Sequence, residues 1–213
     1  SKHLITTHSG KTILLDCGMY QGKGMETDAA NRDLGFDPKK LDCVVLSHAH
    51  IDHSGLIPYI YKMGFRGDIY CTPATRDLCT LMLTDTAFIQ EQDVRTYNKK
   101  IDRQHPHKEK GKTYKIEPLY NQHDVDGAMR HFVTYGYDRR FRLFDDVLLT
   151  FTNSGHMLGG AICSLEIYEE DVRRDDVQCT KERGKRWKRL CYTGDIGRKH
   201  CHILPPPQLF PQC

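Results

Sequence analysis

The first part of the chain alternates short apolar runs with polar, glycine-containing turns, a pattern typical of strands joined to short helices. Two such runs flank Ser9-Gly10, which predicts a β-hairpin. Apolar residues at helical spacing predict a short helix over residues 55–63. The predicted strands in this part are residues 3–7, 11–16, 41–46 and 68–71.

A long helix is predicted to start at Thr72-Pro73, because threonine can cap a helix and proline is favoured at the first helical position. It runs to about Lys99, and its apolar positions are Leu78, Leu81, Met82, Ala87 and Ile89. Residues 101–117 are predicted to be a polar, basic loop. A second helix opens at Asn121 or Asp124 and extends through Phe132.

From Val133 onwards the period of the apolar positions changes to two, which predicts strands. The resulting order is a hairpin, two βα units, a helix and a β-meander, and it predicts an α/β fold of the αββα sandwich type. These strands are residues 133–137, 140–144, 147–152, 161–168 and 189–193.

The composition is that of a globular protein, with 38% hydrophobic residues in 213 and no apolar run long enough to cross a bilayer. The chain begins without an initiator Met or a signal peptide, so we interpret it as one domain, residues 1–213, truncated at both ends. Nine cysteines without a CxxC spacing argue against disulfides and zinc fingers and favour a cytoplasmic protein. No membrane association is expected.

The net charge of +3 does not identify a partner, but the basic residues are concentrated in two stretches. Residues 95–115 hold eight basic residues against two acidic ones, and Lys181 to Arg189 holds six around Trp187. Both are interpreted as insertions between regular elements. Each basic stretch is either a solvated loop or a surface that binds along a nucleic-acid backbone, and the charge alone does not decide between these roles.

The run Ser47-His48-Ala49-His50-Ile51-Asp52-His53 places three histidines and an aspartate within six positions after a strand. Imidazole nitrogen and carboxylate oxygen are donors that suit zinc and its first-row neighbours. His48 and His50 can reach one metal from an extended turn, and Asp52 and His53 can reach a second. A chance cluster of surface histidines would not be expected at the carboxyl end of a strand, where open α/β sheets place their sites.

Two further donors follow predicted strands. His156 lies in a turn with Gly155, Gly159 and Gly160, which permit positive φ angles and close backbone approach. Asp195 follows the strand that ends near Tyr192. Either motif alone is weak evidence, whereas both together with the histidine run indicate a metal site.

These motifs resemble those of the metallo-β-lactamase superfamily, in the same order along the chain. The matching segments are HAHIDH, GHMLGGA and TGDIGR, and LLDCG at residues 14–18 resembles the first motif of the family. Four segments resemble the β-CASP branch, whose members include RNA-processing nucleases. They are LLDCGMYQG, AFIQEQDVRTYNKK, IEPLYNQHDVDGAMRHF and GHMLGGA.

The resemblance implies a site that holds two zinc ions in the full-length protein. His48, His50 and His156 would bind the first ion, Asp52 and His53 the second, and Asp195 would bridge them. Asp52 and Asp195 would be the catalytic residues, and Asp16 would orient the ligand loop. Asp16 as a simple cap of the turn through Gly18 is the alternative.

The implied activity is hydrolysis of an RNA phosphodiester by a hydroxide bound to both zinc ions, which would form because metal binding lowers the pKa of water toward ~7. The alternatives are a small-molecule ester or thioester hydrolase of the same superfamily and a non-catalytic scaffold. Whether the protein forms a homo-oligomer or joins a processing complex is not decided by the sequence.

A complete β-CASP enzyme would also need an inserted β-CASP domain, a closing segment with a last histidine ligand, and an acid for the leaving group. None of these is recognisable in residues 1–213. We therefore expect this chain alone to have weak or no nuclease activity, although the full-length protein is active.

Overall fold

The computed structural model describes residues 1–22, 25–104, 115–170 and 185–208. Two β-sheets pack against each other in its centre. In the first sheet, β1 is antiparallel to β2 and the other neighbours are parallel. Its strands, in spatial order, are His3–Thr6 (β1), Thr12–Leu15 (β2), Cys43–Val45 (β3), Asp68–Cys71 (β4) and Phe132–Thr134 (β5). The strands predicted over residues 3–71 are confirmed.

The second sheet is an antiparallel meander, as predicted. Because β7 and β9 both run antiparallel to β8, their carboxyl ends lie at the same edge of this sheet. Its strands are Arg140–Phe144 (β6), Val147–Asn153 (β7), Ala161–Glu170 (β8) and Lys185–Tyr192 (β9).

The helices of the described residues lie against the first sheet. Both predicted helix starts are confirmed: Thr72 Oγ1 accepts a hydrogen bond from the Thr75 backbone, and Asn121 forms a capping box with Asp124. The helices are Met25–Arg32 (α1), Ile51–Ser54 (α2), Ile57–Lys62 (α3), Pro73–Gln104 (α4) and Gln122–Met129 (α5), with a 3₁₀ turn at Pro38–Lys40.

The central strands are apolar on both faces because each face contacts a different core. In β3, Val44 points toward the helices, whereas Cys43 and Val45 point toward the second sheet. Alternate residues of β2 divide in the same way: Leu14 joins the helical core, and Ile13 and Leu15 join the core between the sheets. The described residues thus build a helix–sheet–sheet sandwich, three of the four layers of the predicted αββα fold.

The carboxyl end of α5 differs from the prediction. The helix ends at Met129, and Phe132 begins β5, which pairs in parallel with β4 in the first sheet and not with the meander. Phe132 is only 9% exposed and packs in the helical core. A period of two identifies a strand but not the sheet that the strand joins.

The long helix α4 is confirmed, but the predicted apolar face is partly wrong. Leu81 and Ile89 are 69% and 50% exposed, whereas Cys79, Leu83 and Ala87 are buried at spacings of four. The helix also continues through Gln104, so residues 101–104 are not part of a loop. Residues 105–114 of that predicted loop lie outside the described residues.

The second basic stretch is not entirely a loop either. Residues 185–189 belong to β9, which pairs with β8, whereas residues 181–184 lie outside the described residues. No disulfide joins the seven cysteines within the described residues, and five of them are buried. No helix in the described part of the chain is long and apolar enough to cross a membrane.

Candidate metal centre

The histidine run forms the loop between β3 and α2, at the carboxyl end of the parallel strands. His48 and His53 are buried, His50 is half-buried, and the carboxylate of Asp52 is exposed. Ser54, at the end of α2, donates hydrogen bonds from its hydroxyl to the backbone carbonyls of Ala49 and His50. The loop is therefore held in one conformation by its own residues.

Four of the predicted ligands converge on one point. His50 Nδ1 lies 3.2 Å from His48 Nε2 and 3.2 Å from His156 Nε2. Asp195 Oδ2 lies 3.5 Å from His156 Nε2 and 4.0 Å from His48 Nε2. Zinc–nitrogen bonds of about 2.0–2.1 Å in a tetrahedron place neighbouring ligand atoms about 3.3 Å apart. These four side chains, the first subsite, therefore fit one tetrahedral zinc ion.

The other predicted ligands form a second, more open group. His53 Nε2 lies 3.4 Å from Asp195 Oδ1 and 3.8 Å from Asp52 Oδ2. Because Asp195 directs one carboxylate oxygen to each group, it stands between the first subsite and this second subsite. The structure thus brings together all six residues that the sequence predicted as ligands, although Asp52 makes only the one long contact.

Asp16 connects the second subsite to the buried interior. Its side chain is fully buried, and its φ of 57° lies in the left-handed region, which is uncommon for a residue other than glycine. Asp16 Oδ2 lies 2.6 Å from His53 Nδ1, while the backbone N–H of Gly18 donates to the carbonyl of Ser1. Asp16 therefore contacts a predicted ligand and does not cap the turn through Gly18.

Two residues at the site were not predicted. Ser47 Oγ and Tyr192 Oη each lie 2.7 Å from Asp16 Oδ2, and the Ser47 backbone N–H donates to Asp16 Oδ1. The available signal was position alone: Ser47 directly precedes His48, and Tyr192 lies three residues before Asp195. Neither hydroxyl has ligand character, so donor chemistry did not identify them.

The loops that carry His156 and Asp195 approach the histidine run closely. Gly155 and Gly159 take the predicted positive φ angles of 66° and 81°, and Gly160 does not. Gly194, with φ of 51°, passes directly over Ser47, and a Cβ there would lie 2.7 Å from Ser47 Oγ. Only glycine allows the backbone to bring Asp195 this near to the histidines.

The electrostatics of the two groups differ. Burial, reinforced by the neighbouring His53, lowers the pKa of His48 to about 3, and burial likewise lowers the pKa of His50. Burial also acts to lower the pKa of His53, but the hydrogen bond and charge of Asp16 outweigh it and raise that pKa. Two imidazoles of the first subsite, those of His48 and His50, are therefore held in the neutral form, which is the form that binds metal.

Comparisons with known proteins identify the family of the chain. The sequence profile described as the metallo-beta-lactamase superfamily matches residues 3–133 of the chain. This stretch contains the first motif and the whole histidine run.

Two similar proteins are much longer than this chain. It is 31% identical over 211 residues to Ribonuclease TTHA0252 of Thermus thermophilus, which covers 99% of this chain and 38% of that protein. It is 34% identical over 195 residues to Transcription termination factor FttA of Methanothermobacter thermautotrophicus, which covers 90% of this chain and 25% of that protein.

Among solved structures, a metallo-beta-lactamase from Cronobacter sakazakii, a HARLDQ motif mutant, aligns with a TM-score of 0.44 and 17% identity. That alignment covers 78% of this chain and 53% of that chain. The subclass B3 metallo-beta-lactamase BJP-1 of Bradyrhizobium japonicum aligns with a TM-score of 0.41 and 20% identity, over 89% of this chain and 53% of that chain.

Proposed function

The chain belongs to the metallo-β-lactamase superfamily, and we propose that it is the amino-terminal part of a zinc-dependent phosphodiester hydrolase that cleaves RNA, of the β-CASP type. The observation that carries the proposal is Asp195, whose two carboxylate oxygens face two different groups of ligands. A carboxylate in that position is the feature expected of a site for two neighbouring metal ions.

The donor set supports zinc at this site. Four imidazoles and two carboxylates provide the nitrogen and oxygen ligands that zinc takes at catalytic centres. The superfamily membership favours a metal of this kind as well. Two zinc ions per full-length chain are the proposed content, one in each subsite.

When bound, the two ions would supply a nucleophilic water at neutral pH and neutralise charge on the phosphate oxygens. The residues of the chain divide the remaining work. The four histidines, of which His48 and His53 are buried, would hold the ions. The carboxylates of Asp52 and Asp195 are 52% and 46% exposed, and they are the proposed acceptors of the proton that the attacking water releases.

RNA as substrate is supported by the names of the similar proteins, one a ribonuclease and one a transcription termination factor. The surface offers a compatible feature, since the second half of α4 carries exposed basic residues. These residues are Arg95, Lys99, Lys100 and Arg103. A phosphate backbone is attracted to such a surface.

The other two functions considered from the sequence receive less support. A non-catalytic scaffold needs no metal ligands, whereas all six ligand side chains are present and grouped. A small-molecule esterase or thioesterase would use the same metal centre. No feature of the described residues favours such an esterase or thioesterase, and the test below distinguishes it from a ribonuclease.

The test uses the full-length protein, reconstituted with zinc, on three substrates: a labelled single-stranded RNA, a thioester and a β-lactam. We expect cleavage of RNA, loss of that cleavage in Asp195→Ala, and little effect of His8→Ala, since His8 is exposed outside the site. Turnover of the thioester or lactam without RNA cleavage would contradict the proposal.

A further inference from the structure

Two hydroxyl groups beneath the metal centre have no role in the proposed function, and both converge on Asp16. We propose that Ser47 and Tyr192 are positioning residues for the two metal subsites, and that Ser47 couples one subsite to the other. The inference rests on the proposed metal centre and deepens it, because it states what aims the histidine ligands.

The hydrogen bonds of Ser47 have a defined direction. Its hydroxyl oxygen lies 2.7 Å from Asp16 Oδ2 and 2.9 Å from His48 Nδ1. A carboxylate only accepts hydrogen bonds, so the single hydroxyl proton of Ser47 points to Asp16. His48 must then donate from Nδ1 to the serine oxygen.

This direction determines the tautomer of His48. With the proton on Nδ1, the lone pair is on Nε2, the atom that lies 3.2 Å from His50 Nδ1 within the first subsite. The other ring nitrogen of a metal-binding histidine normally makes a hydrogen bond of this kind, which sets the ring orientation. Ser47 is therefore the group that aims His48 at the first metal.

His53 is aimed by the same carboxylate oxygen. Its Nδ1 lies 2.6 Å from Asp16 Oδ2 and donates to it, which leaves the Nε2 lone pair facing Asp195 and Asp52. Asp16 thus orients the second subsite directly and the first subsite through Ser47. A displacement of Asp16 changes both.

Tyr192 completes the support of Asp16. Its hydroxyl is the third donor on Oδ2, at 2.7 Å, while the Ser47 backbone N–H satisfies Oδ1 at 2.7 Å. The carboxylate is fully buried, so water does not replace a missing donor. Tyr192 Oη also lies 3.0 Å from Ser1 Oγ, and its hydrogen bond to Asp16 is what connects it to His53.

The two residues therefore predict different effects. Ser47→Ala removes the partner of His48 and one donor to Asp16, so zinc binding should weaken at both subsites. Tyr192→Phe removes a donor to Asp16 and a hydrogen bond with Ser1 Oγ but leaves the partner of His48 in place, so zinc binding should weaken mainly at the second subsite. Loss of such a supporting partner typically weakens metal binding by about 10- to 100-fold.

The experiment is zinc titration of the full-length protein against a chromophoric chelator, with the visible spectrum of the cobalt-substituted protein as a second readout. Ser164→Ala and Tyr70→Phe are matched controls. Ser164 is a buried serine on β8, and Tyr70 donates to the carboxylate of Asp68 away from the site. Tyr192→Phe is nearly isosteric, so it tests the proposal even if Ser47→Ala does not fold.

We expect wild-type protein and both controls to bind two zinc ions with the same affinities, and the two site variants to show the split described above. A changed cobalt spectrum in Ser47→Ala and Tyr192→Phe would support altered ligand orientation. Wild-type affinities in both site variants, or equal losses in the controls, would overturn the inference. Failure of the wild-type protein to bind zinc would instead reject the proposed metal centre itself.

Discussion

The two subsites of the candidate metal centre share Asp195 but are built differently. In the first, ligand nitrogens lie 3.2 Å apart on buried or half-buried histidines. In the second, only His53 is buried, and its contacts to carboxylates are 3.4 and 3.8 Å. The fold therefore places the ligands of the first subsite close together before any metal binds. The second subsite depends on Asp16 to hold its one buried ligand, His53.

The largest effect should follow removal of a ligand from the preformed subsite. His48→Ala in the full-length protein should lower RNA cleavage by more than about 100-fold, because even partners outside the ligand shell cost about 10- to 100-fold. It should also remove the tightly bound zinc, as measured by elemental analysis. Asp52→Ala should remove only the weaker zinc. The comparison would be wrong if both variants lost the same ion.

Zinc binding and RNA cleavage by the 213-residue chain alone should show a further difference between the subsites. The chain spans 38% and 25% of two similar proteins, and we predict that it binds zinc at the first subsite but cleaves RNA weakly or not at all. Its cleavage rate should be measured beside that of the full-length protein at equal zinc content. Strong turnover by the isolated chain would contradict this prediction.

Asp16→Ala should destabilise the metal-free protein. The substitution leaves the buried donors of Ser47 and His53 without their acceptor, at about 1–3 kcal/mol for each unpaired group, and removes one partner of the half-buried Tyr192 hydroxyl. We expect the free energy of unfolding to fall by about 3 kcal/mol, measured by urea denaturation with a chelator present. Asp145→Ala is the control, since this carboxylate is fully exposed, and it should leave stability unchanged.

The smallest effect should be a difference between the two zinc ions in the pH at which each is released. The pKa of His53 is raised and that of His48 is lowered to about 3, so protons compete for His53 first as pH falls. Between neutral pH and about pH 5, the second zinc should be released while the first stays bound. Zinc content after gel filtration at each pH measures this, and simultaneous release of both ions would refute it.

The ligands could be predicted from the sequence because they carry their chemistry in the side chain. His48, His50, Asp52 and His53 are contiguous, and His156 and Asp195 each follow a strand whose period was readable. Ser47 and Tyr192 were missed because a hydroxyl has many ordinary roles. Only the folded chain shows that both meet Asp16.

The fold was likewise predictable where local sequence decides the structure, and not where contacts between distant residues decide it. Strands β1 to β4 follow from local apolar runs and turns, whereas the sheet that β5 joins depends on contacts far along the chain. In α4 the apolar periodicity correctly included Ala87 but also favoured Leu81 and Ile89, which are exposed, and it missed the buried Cys79 and Leu83. Which face of a long helix is buried is decided by the elements that pack against it, and these are distant in sequence.

The central claim is that Asp195 stands between two zinc ions, and anomalous diffraction at the zinc edge from crystals of the full-length protein tests it most directly. We expect two peaks, one among His48, His50 and His156 and the other beside His53, with Asp195 contacting both. No zinc at these residues, or a single ion with Asp195 turned away from it, would contradict this claim.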